Sequence, residues 1–131
     1  MRNVIRKSRP LQAALLTGVA LAGTLVVTTG PAQAATARCT APAFYWGTRT
    51  CTTGTVAANS SGYFVDVHIW ACSGSPWKVW DTVTGVTVAS GKGAGQSKDW
   101  TVKRISGLYG SSYKARLSSA CAGDQIYIEN N

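Results

Sequence analysis

The stretch YFVDVHIWAC, residues 63–72, decides the fold class of this chain. Its side chains alternate between two sets, which are Tyr63, Val65, Val67, Ile69 and Ala71 on one side and Phe64, Asp66, His68, Trp70 and Cys72 on the other. Successive side chains of a β-strand point to opposite faces, so this alternation predicts a strand. We expect the first set to face the core, because the second set carries a carboxylate and an imidazole.

Similar short strand patterns lie on both sides of this stretch, and no helical periodicity is found. Further strands are predicted at 43–50, 53–57, 77–83, 86–89, 99–105, 113–121 and 124–129. Thr84-Gly85 predicts a tight hairpin turn, and the glycine-rich segment 90–98 predicts a mobile loop. The fold class is therefore all-β, a small antiparallel β-sandwich of six or seven strands stapled by two disulfides.

The pattern also predicts which large side chains fill the core. Trp77, Trp100 and Val102 are expected to point inward. Tyr113, which begins a strand, is expected to form a tyrosine corner, in which the phenol bonds back to nearby backbone. The termini of such a small domain are usually loose, and residues 35–37 are expected to be so.

Residues 1–34 have the pattern of a secretory signal peptide. Four basic residues precede an apolar run from Leu11 to Val27, and Pro31-Ala32-Gln33-Ala34 ends the segment with small residues. We predict cleavage between Ala34 and Ala35, which leaves residues 35–131 as a single secreted, extracellular domain. No stable membrane span is expected after processing.

Four cysteines remain in the processed chain, which are Cys39, Cys51, Cys72 and Cys121. An even number in a small exported domain indicates two disulfides, for which three pairings exist. We favour the sequential pairing, in which the first bond closes a short hairpin and the second ties the middle of the chain to its end. In the chain-entropy model the two bonds contribute roughly 3 and roughly 4 kcal/mol.

The charge of the whole chain, +8, includes the four basic residues of the signal peptide. The processed domain keeps nine Lys and Arg against five Asp and Glu, a net charge of +4. This surplus can steer the protein toward an acidic partner. It is too small and too scattered along the sequence to predict binding of nucleic acid.

Few residues offer catalytic or metal-binding chemistry. His68 is the single histidine, and there is no C-x-x-C pair, so no metal site is predicted. Asp66 lies two residues from His68 on the same strand face, but no motif marks a serine nucleophile. We expect a non-enzymatic monomer that needs no cofactor, with His68 as an exposed strand histidine.

Aromatic residues are the stronger signal of binding. Tyr45, Trp46 and Arg49 lie between the first two cysteines, in a loop that a disulfide would constrain. A constrained loop loses less entropy on binding. Trp70 and Trp80 are candidates for stacking on sugar rings if they share one sheet face. The alternative for the first cysteine loop is a hairpin whose aromatics alternate between core and surface, and the alternative for Trp70 and Trp80 is that they only cover the second face of the sheet.

The chain resembles the tendamistat-type α-amylase inhibitors of microbes, which are small exported β-sandwich proteins with two sequential disulfides. The resemblance lies in the cysteine order, the aromatic and arginine content of the first cysteine loop, and the run 107–111 with Ala115-Arg116 ahead of Cys121. That family inserts a contiguous Trp-Arg-Tyr triplet into the amylase cleft. Here Gly47 and Thr48 separate Trp46 from Arg49, and no aromatic follows Arg49.

The expected function is that of a secreted binding protein whose partner is an extracellular glycoside hydrolase or a polysaccharide. The resemblance implies inhibition of a hydrolase such as α-amylase, with Trp46 in a sugar subsite and Arg49 facing the catalytic acids. A carbohydrate- or envelope-binding module is the alternative from the tryptophans. A secreted antimicrobial protein and a structural surface protein stay open.

Overall fold

The computed structural model describes residues 34–43, 49–97 and 99–131. The predicted signal peptide therefore lies outside the described residues, apart from Ala34. Within these ranges the chain forms eight strands and no helix. The strands are β1 Thr36–Thr40, β2 Arg49–Thr52, β3 Phe64–Trp70, β4 Pro76–Asp81, β5 Thr87–Lys92, β6 Thr101–Ser106, β7 Tyr113–Ala120 and β8 Gln125–Glu129.

The strands form two antiparallel sheets of four strands each. Sheet A has the order β1-β8-β3-β6, and sheet B has the order β2-β7-β4-β5. The predicted class, a small β-sandwich with two disulfides, is confirmed. The described strands number eight, one more than the upper end of the predicted range. The chain start, which was expected to be loose, forms β1, where Thr36 pairs with Glu129 and Ala37 with Ile128.

The core lies between the inner faces of the two sheets. Sheet A contributes a row of β-branched side chains from β3 and β8. Sheet B contributes side chains of mixed size, from alanine to tryptophan, which pack against that row. These buried residues include Val65, Val67, Ile69, Ile126, Ile128, Trp77, Val79, Tyr113, Ala115 and Leu117. The alternation that predicted residues 63–72 as a strand with Val65, Val67 and Ile69 inward is thus confirmed.

Both disulfides follow the sequential pairing, Cys39–Cys51 and Cys72–Cys121. The first was expected to close a hairpin, and that expectation is wrong. Cys39 lies on β1 of sheet A and Cys51 on β2 of sheet B, so the bond joins the two sheets. The second bond also joins them, because Cys72 follows β3 and Cys121 follows β7.

Asp124 organises the backbone around the second disulfide. Its buried carboxylate accepts hydrogen bonds from the backbone N–H of Cys121, at 2.7 Å, and of Cys72, at 3.1 Å. Gln96 donates to the same carboxylate through its side-chain amide. A buried carboxylate is stable when donors surround it, so Asp124 holds the two cysteine backbones in register.

Local turn chemistry also agrees with the sequence. The backbone N–H of Gly110 donates to the phenol oxygen of Tyr113 at 2.8 Å, which is the predicted tyrosine corner. The β4–β5 hairpin turns at Gly85, whose φ of +74° suits glycine. Asp81 closes this turn by accepting a hydrogen bond from the N–H of Val83 at 2.8 Å.

Three local predictions are wrong. Residues 90–92 continue β5 and are not part of a loop, and residues 53–57 make only one bridge, between Val56 and Tyr113. Trp100 and Val102 point outward, with 36% and 56% of their surface exposed. The reason is register, since β6 pairs Ile105 with core residue Val65 and so turns the even-numbered side chains to solvent. Among the described residues no helix is long and apolar enough to cross a membrane.

Candidate functional site

The outer face of sheet A carries a continuous group of aromatic and cationic side chains. Trp100 lies just before β6, and its ring centroid is 6.5 Å from that of Trp70 and 5.2 Å from that of Tyr127. The guanidinium carbon of Arg38 lies 4.8 Å from the centroid of Tyr127 and 5.9 Å from that of Trp100. We call Arg38, His68, Trp70, Trp100 and Tyr127 the aromatic face.

Strand pairing explains why these side chains meet. His68 lies opposite Tyr127 across the β3–β8 pair, and Tyr127 lies opposite Arg38 across the β8–β1 pair. Directly opposed residues on one side of an antiparallel sheet have neighbouring side chains. The rings of His68 and Tyr127 stack, with centroids 4.1 Å apart and an interplanar angle of 10°. Trp100 meets the Tyr127 ring of this stack edge-on, at an interplanar angle of 63°.

His68 and Asp66 have different partners, although they are neighbours on one strand face. His68 Nε2 lies 2.9 Å from Glu129 Oε1, and Asp66 forms two hydrogen bonds with Arg104, at 2.8 and 2.6 Å. His68 is half-buried, so the expectation of an exposed histidine is wrong. The Glu129 carboxylate fixes the orientation of the imidazole within the aromatic face.

The environment of Tyr127 changes the acidity of its phenol. Partial burial raises the pKa of Tyr127 above its ordinary value, and the negative charge of Glu129 adds to this effect. The positive charge of Arg38 opposes it. The phenol of Tyr127 therefore stays neutral further into the alkaline range and can act as a hydrogen-bond donor beside the indole of Trp100.

Two of the three residues predicted in the first cysteine loop, Tyr45 and Trp46, lie outside the described residues. Arg49 begins β2 and is half-buried. Its guanidinium donates a long hydrogen bond, 3.5 Å, to the carbonyl oxygen of Ala43 on the other side of the loop. Arg49 thus braces the base of the loop that Cys39–Cys51 closes.

Trp70 and Trp80 do not share a sheet face, so the condition for one stacking platform built from these two rings is not met. Trp70 belongs to β3 in sheet A, whereas Trp80 belongs to β4 in sheet B. Trp80 is half-buried between two cations, with Lys78 Nζ and the Arg116 guanidinium carbon each 5.4 Å from its ring centroid. The two tryptophans therefore belong to separate outer faces.

The sequence did not reveal Arg38, Trp100 and Tyr127 as site residues. Trp100 was assigned to the core because its strand register is set by β3, 30 or more residues earlier in the chain. Arg38 and Tyr127 are far apart in sequence and meet only through the β1–β8 pairing. The usable signal was the spacing of polar and aromatic residues in β8, where Tyr127 separates the buried Ile126 and Ile128.

A second aromatic pair lies elsewhere on the surface. The rings of Tyr63 and Tyr109 are 4.8 Å apart, and Tyr109 is 80% exposed. Tyr63 has a φ of +52°, a backbone conformation that costs free energy in a non-glycine residue. Asn59 supports it by accepting hydrogen bonds from the N–H groups of Ser61 and Gly62. Charged side chains do not line the 320 Å³ cavity beside this pair.

Within the described part of the chain, one cluster brings three potential metal-ligand groups together, namely Cys72, Cys121 and Asp124. Both sulfur atoms are joined in the disulfide, so they are not thiolate ligands. The Asp124 carboxylate already accepts hydrogen bonds from the backbone N–H groups of both cysteines. The arrangement is accounted for by structural hydrogen bonding.

Comparisons with protein-family models, with curated proteins and with solved structures found no match. The resemblance to the tendamistat-type inhibitors consequently stays an expectation from the sequence.

The raised pKa of Tyr127 predicts that the free energy of unfolding falls at alkaline pH. Above the ordinary tyrosine pKa of about 10, the unfolded chain loses this proton while the native phenol keeps it. The native state then binds more protons, so the free energy of unfolding falls as pH rises, and the contribution is intact below about pH 10. Tyr127→Phe should flatten this fall in urea titrations between about pH 9 and 11.

Tyr109→Phe is the matched control, since it also removes one phenol hydroxyl but from a side chain that is 80% exposed. It should leave the alkaline fall as steep as in the unchanged protein. If Tyr127→Phe and the unchanged protein have the same pH profile, the described environment of Tyr127 is wrong.

Proposed function

We propose that this chain is a secreted, non-enzymatic binding protein that recognises extracellular polysaccharide through the aromatic face of sheet A. The observation that carries the proposal is the position of Trp100, an exposed indole that contacts Trp70 and Tyr127 and lies near the Arg38 guanidinium. Aromatic rings with a polar rim favour sugars, which present apolar C–H faces and hydroxyl edges.

Export is part of the proposal and has two supports. Two disulfides occur in a short domain, as is typical of oxidising compartments outside the cytosol. The first strand begins at Thr36, two residues after the predicted cleavage point at Ala34. Removal of the predicted signal would therefore leave the folded domain intact, with Ala35 hydrogen-bonded to the Asn130 side chain at 2.6 Å.

The rigidity of the aromatic face also favours a binding role. Trp70 and Tyr127 lie on central strands β3 and β8 of sheet A, and Glu129 holds the His68 ring against Tyr127. Side chains fixed before binding lose less conformational entropy when a ligand arrives. The face thus offers a pre-formed surface to a sugar ring.

The test is co-sedimentation with insoluble neutral polysaccharides, namely starch, cellulose and chitin. The protein should sediment with at least one of them, and Trp100→Ala should weaken that binding by roughly tenfold, since loss of one stacked ring removes about 1.4 kcal/mol. Tyr109→Ala, which removes an exposed ring outside the aromatic face, should bind as the unchanged protein does.

Absence of sedimentation with all three polymers would contradict the proposal. Equal binding by Trp100→Ala and the unchanged protein would also contradict the proposal. Trp100 would then only shield the outer face of sheet A from solvent. Thermal unfolding of each variant verifies that Trp100→Ala is folded at the assay temperature.

Inhibition of an extracellular glycoside hydrolase such as α-amylase is a second candidate function. It is supported by the first cysteine loop, whose ends are fixed by Cys39–Cys51 to both sheets and braced by the contact of Arg49 with Ala43. A loop with fixed ends can fill an active-site cleft without a large ordering cost. Trp46 would enter a sugar subsite, and Arg49 would face the catalytic carboxylates.

The test is titration of the purified protein into an α-amylase assay. If the candidate is right, micromolar protein inhibits the enzyme, and Trp46→Ala and Arg49→Ala each lower the inhibition by tenfold or more, as expected for interface anchors. Trp100→Ala, which changes a residue of the aromatic face, should inhibit as the unchanged protein does. Lack of inhibition at micromolar protein would end this candidate without affecting the polysaccharide proposal.

A further inference from the structure

We propose that the outer face of sheet B is a second binding site, specific for the carboxylates of an acidic polysaccharide. The site consists of Lys78, Trp80, Lys92, Lys114 and Arg116, which we call the cationic face. It is separate from the aromatic face, which lies on the opposite side of the sandwich, and the two proposals stand independently.

Strand register brings these cations together from distant parts of the sequence. Lys78 on β4 pairs with Arg116 on β7, and Trp80 pairs with Lys114. The buried neighbours Val79 and Leu117 face the core, so the side chains of Lys78 and Arg116 point to solvent. On β5, Gly91 lies against the ring of the core residue Trp77, which turns Lys92 to the same outer surface.

The positive charge of this face is not balanced by carboxylates. The ion pairs among the described residues are His68–Glu129 and Asp66–Arg104, and both are on sheet A. Like charges directly opposite each other on neighbouring strands, as Lys78 and Arg116 are, destabilise a sheet. The π face of Trp80 compensates both cations only in part. A bound anion would relieve the remaining repulsion.

The cationic face contains a cavity at one edge that can hold one sugar unit of a ligand. It measures 430 Å³ and is lined by Pro76, Trp77, Lys78, Ser90, Lys92 and Ser118, together with Gly91. This volume is in the range of small-ligand sites. Two ammonium groups can pair with a carboxylate, two hydroxyls can bond to sugar hydroxyls, and the apolar side chains suit the face of a sugar ring.

The form of the face favours a polymer with repeated carboxylates. Lys92 and Lys114 lie on the two strands that flank β4, beside its Pro76 and Trp80 positions respectively. Four residues of a strand extend about 13 Å, so an anion in the cavity leaves further cations for the next sugars along a chain. Trp80 is half-buried beneath Lys78 and Arg116 and does not protrude as a membrane-inserting side chain would.

The test is a binding titration with polygalacturonate, a soluble polymer of a uronic acid, against dextran as a neutral polymer. The protein should bind polygalacturonate at low salt, and any binding to dextran should be the same for the lysine variants as for the unchanged protein. Lys78→Gln and Lys92→Gln should each weaken binding by roughly tenfold, because each removes a charge-assisted hydrogen bond. Raising the salt from about 0.1 to 1 M should weaken binding, since it shortens the Debye length to roughly 3 Å.

Ser61→Glu is the control for net charge. It lowers the charge of the protein by one, as each lysine variant does, but Ser61 is exposed in the loop before β3, away from the cavity. It should bind polygalacturonate nearly as well as the unchanged protein. Trp100→Ala should also keep this binding, so failure of the cationic face and failure of the aromatic face are distinguishable.

Three results would overturn the proposal. They are no binding to polygalacturonate at low salt, equal weakening by Ser61→Glu and by the lysine variants, and binding to vesicles of anionic lipid without binding to polygalacturonate. The second would mean that net charge alone attracts the polymer. The third would assign the same lysines to a membrane surface.

Discussion

The two disulfides that join sheet A to sheet B are the constraint on which the rest of the structure depends. A domain of this length buries a smaller fraction of the surface exposed by its unfolded chain than a larger protein does, so its core alone gives limited stability. Cys39–Cys51 ties the sheets near the start of the domain, and Cys72–Cys121 ties β3 to β7 at the other cysteine pair. Asp124 then fixes the backbone at the second bond. Because the disulfides join the two sheets covalently, the side chains on the outer faces do not need to contribute to the stability of the domain.

This freedom is visible in the difference between the two outer faces. Sheet A presents Trp70, Trp100 and Tyr127, with its acidic groups in ion pairs, and sheet B presents Lys78 and Arg116 directly opposite each other. One face is suited to stacking on neutral sugar rings and the other to anionic groups.

The fold was predictable because local alternation carries the information. Residues 63–72 alternate cleanly, and Val65, Val67 and Ile69 are buried as predicted. Tyr113 could be assigned for the same reason, since a tyrosine corner depends on a few neighbouring residues.

Sheet membership was not predictable in this way. The partners of β1 and β2 are β8 and β7, from the far end of the chain, so Cys39–Cys51 was mistaken for a hairpin bond. Trp100 and Val102 were assigned to the core because β6 is an edge strand of sheet A. Most side chains of β6 are exposed on both faces, so the alternation of apolar and polar residues does not identify the inner face. The cationic face depends on cross-strand pairing in the same way, and a scattered sequence of lysines gave no sign of it.

The most direct test of this account is peptide mapping of the folded, unreduced protein by mass spectrometry after proteolysis. The account predicts one linked peptide pair containing Cys39 and Cys51, another containing Cys72 and Cys121, and no free thiol. Free thiols in folded protein, or a link from Cys39 or Cys51 to either later cysteine, would contradict the joining of the two sheets described above.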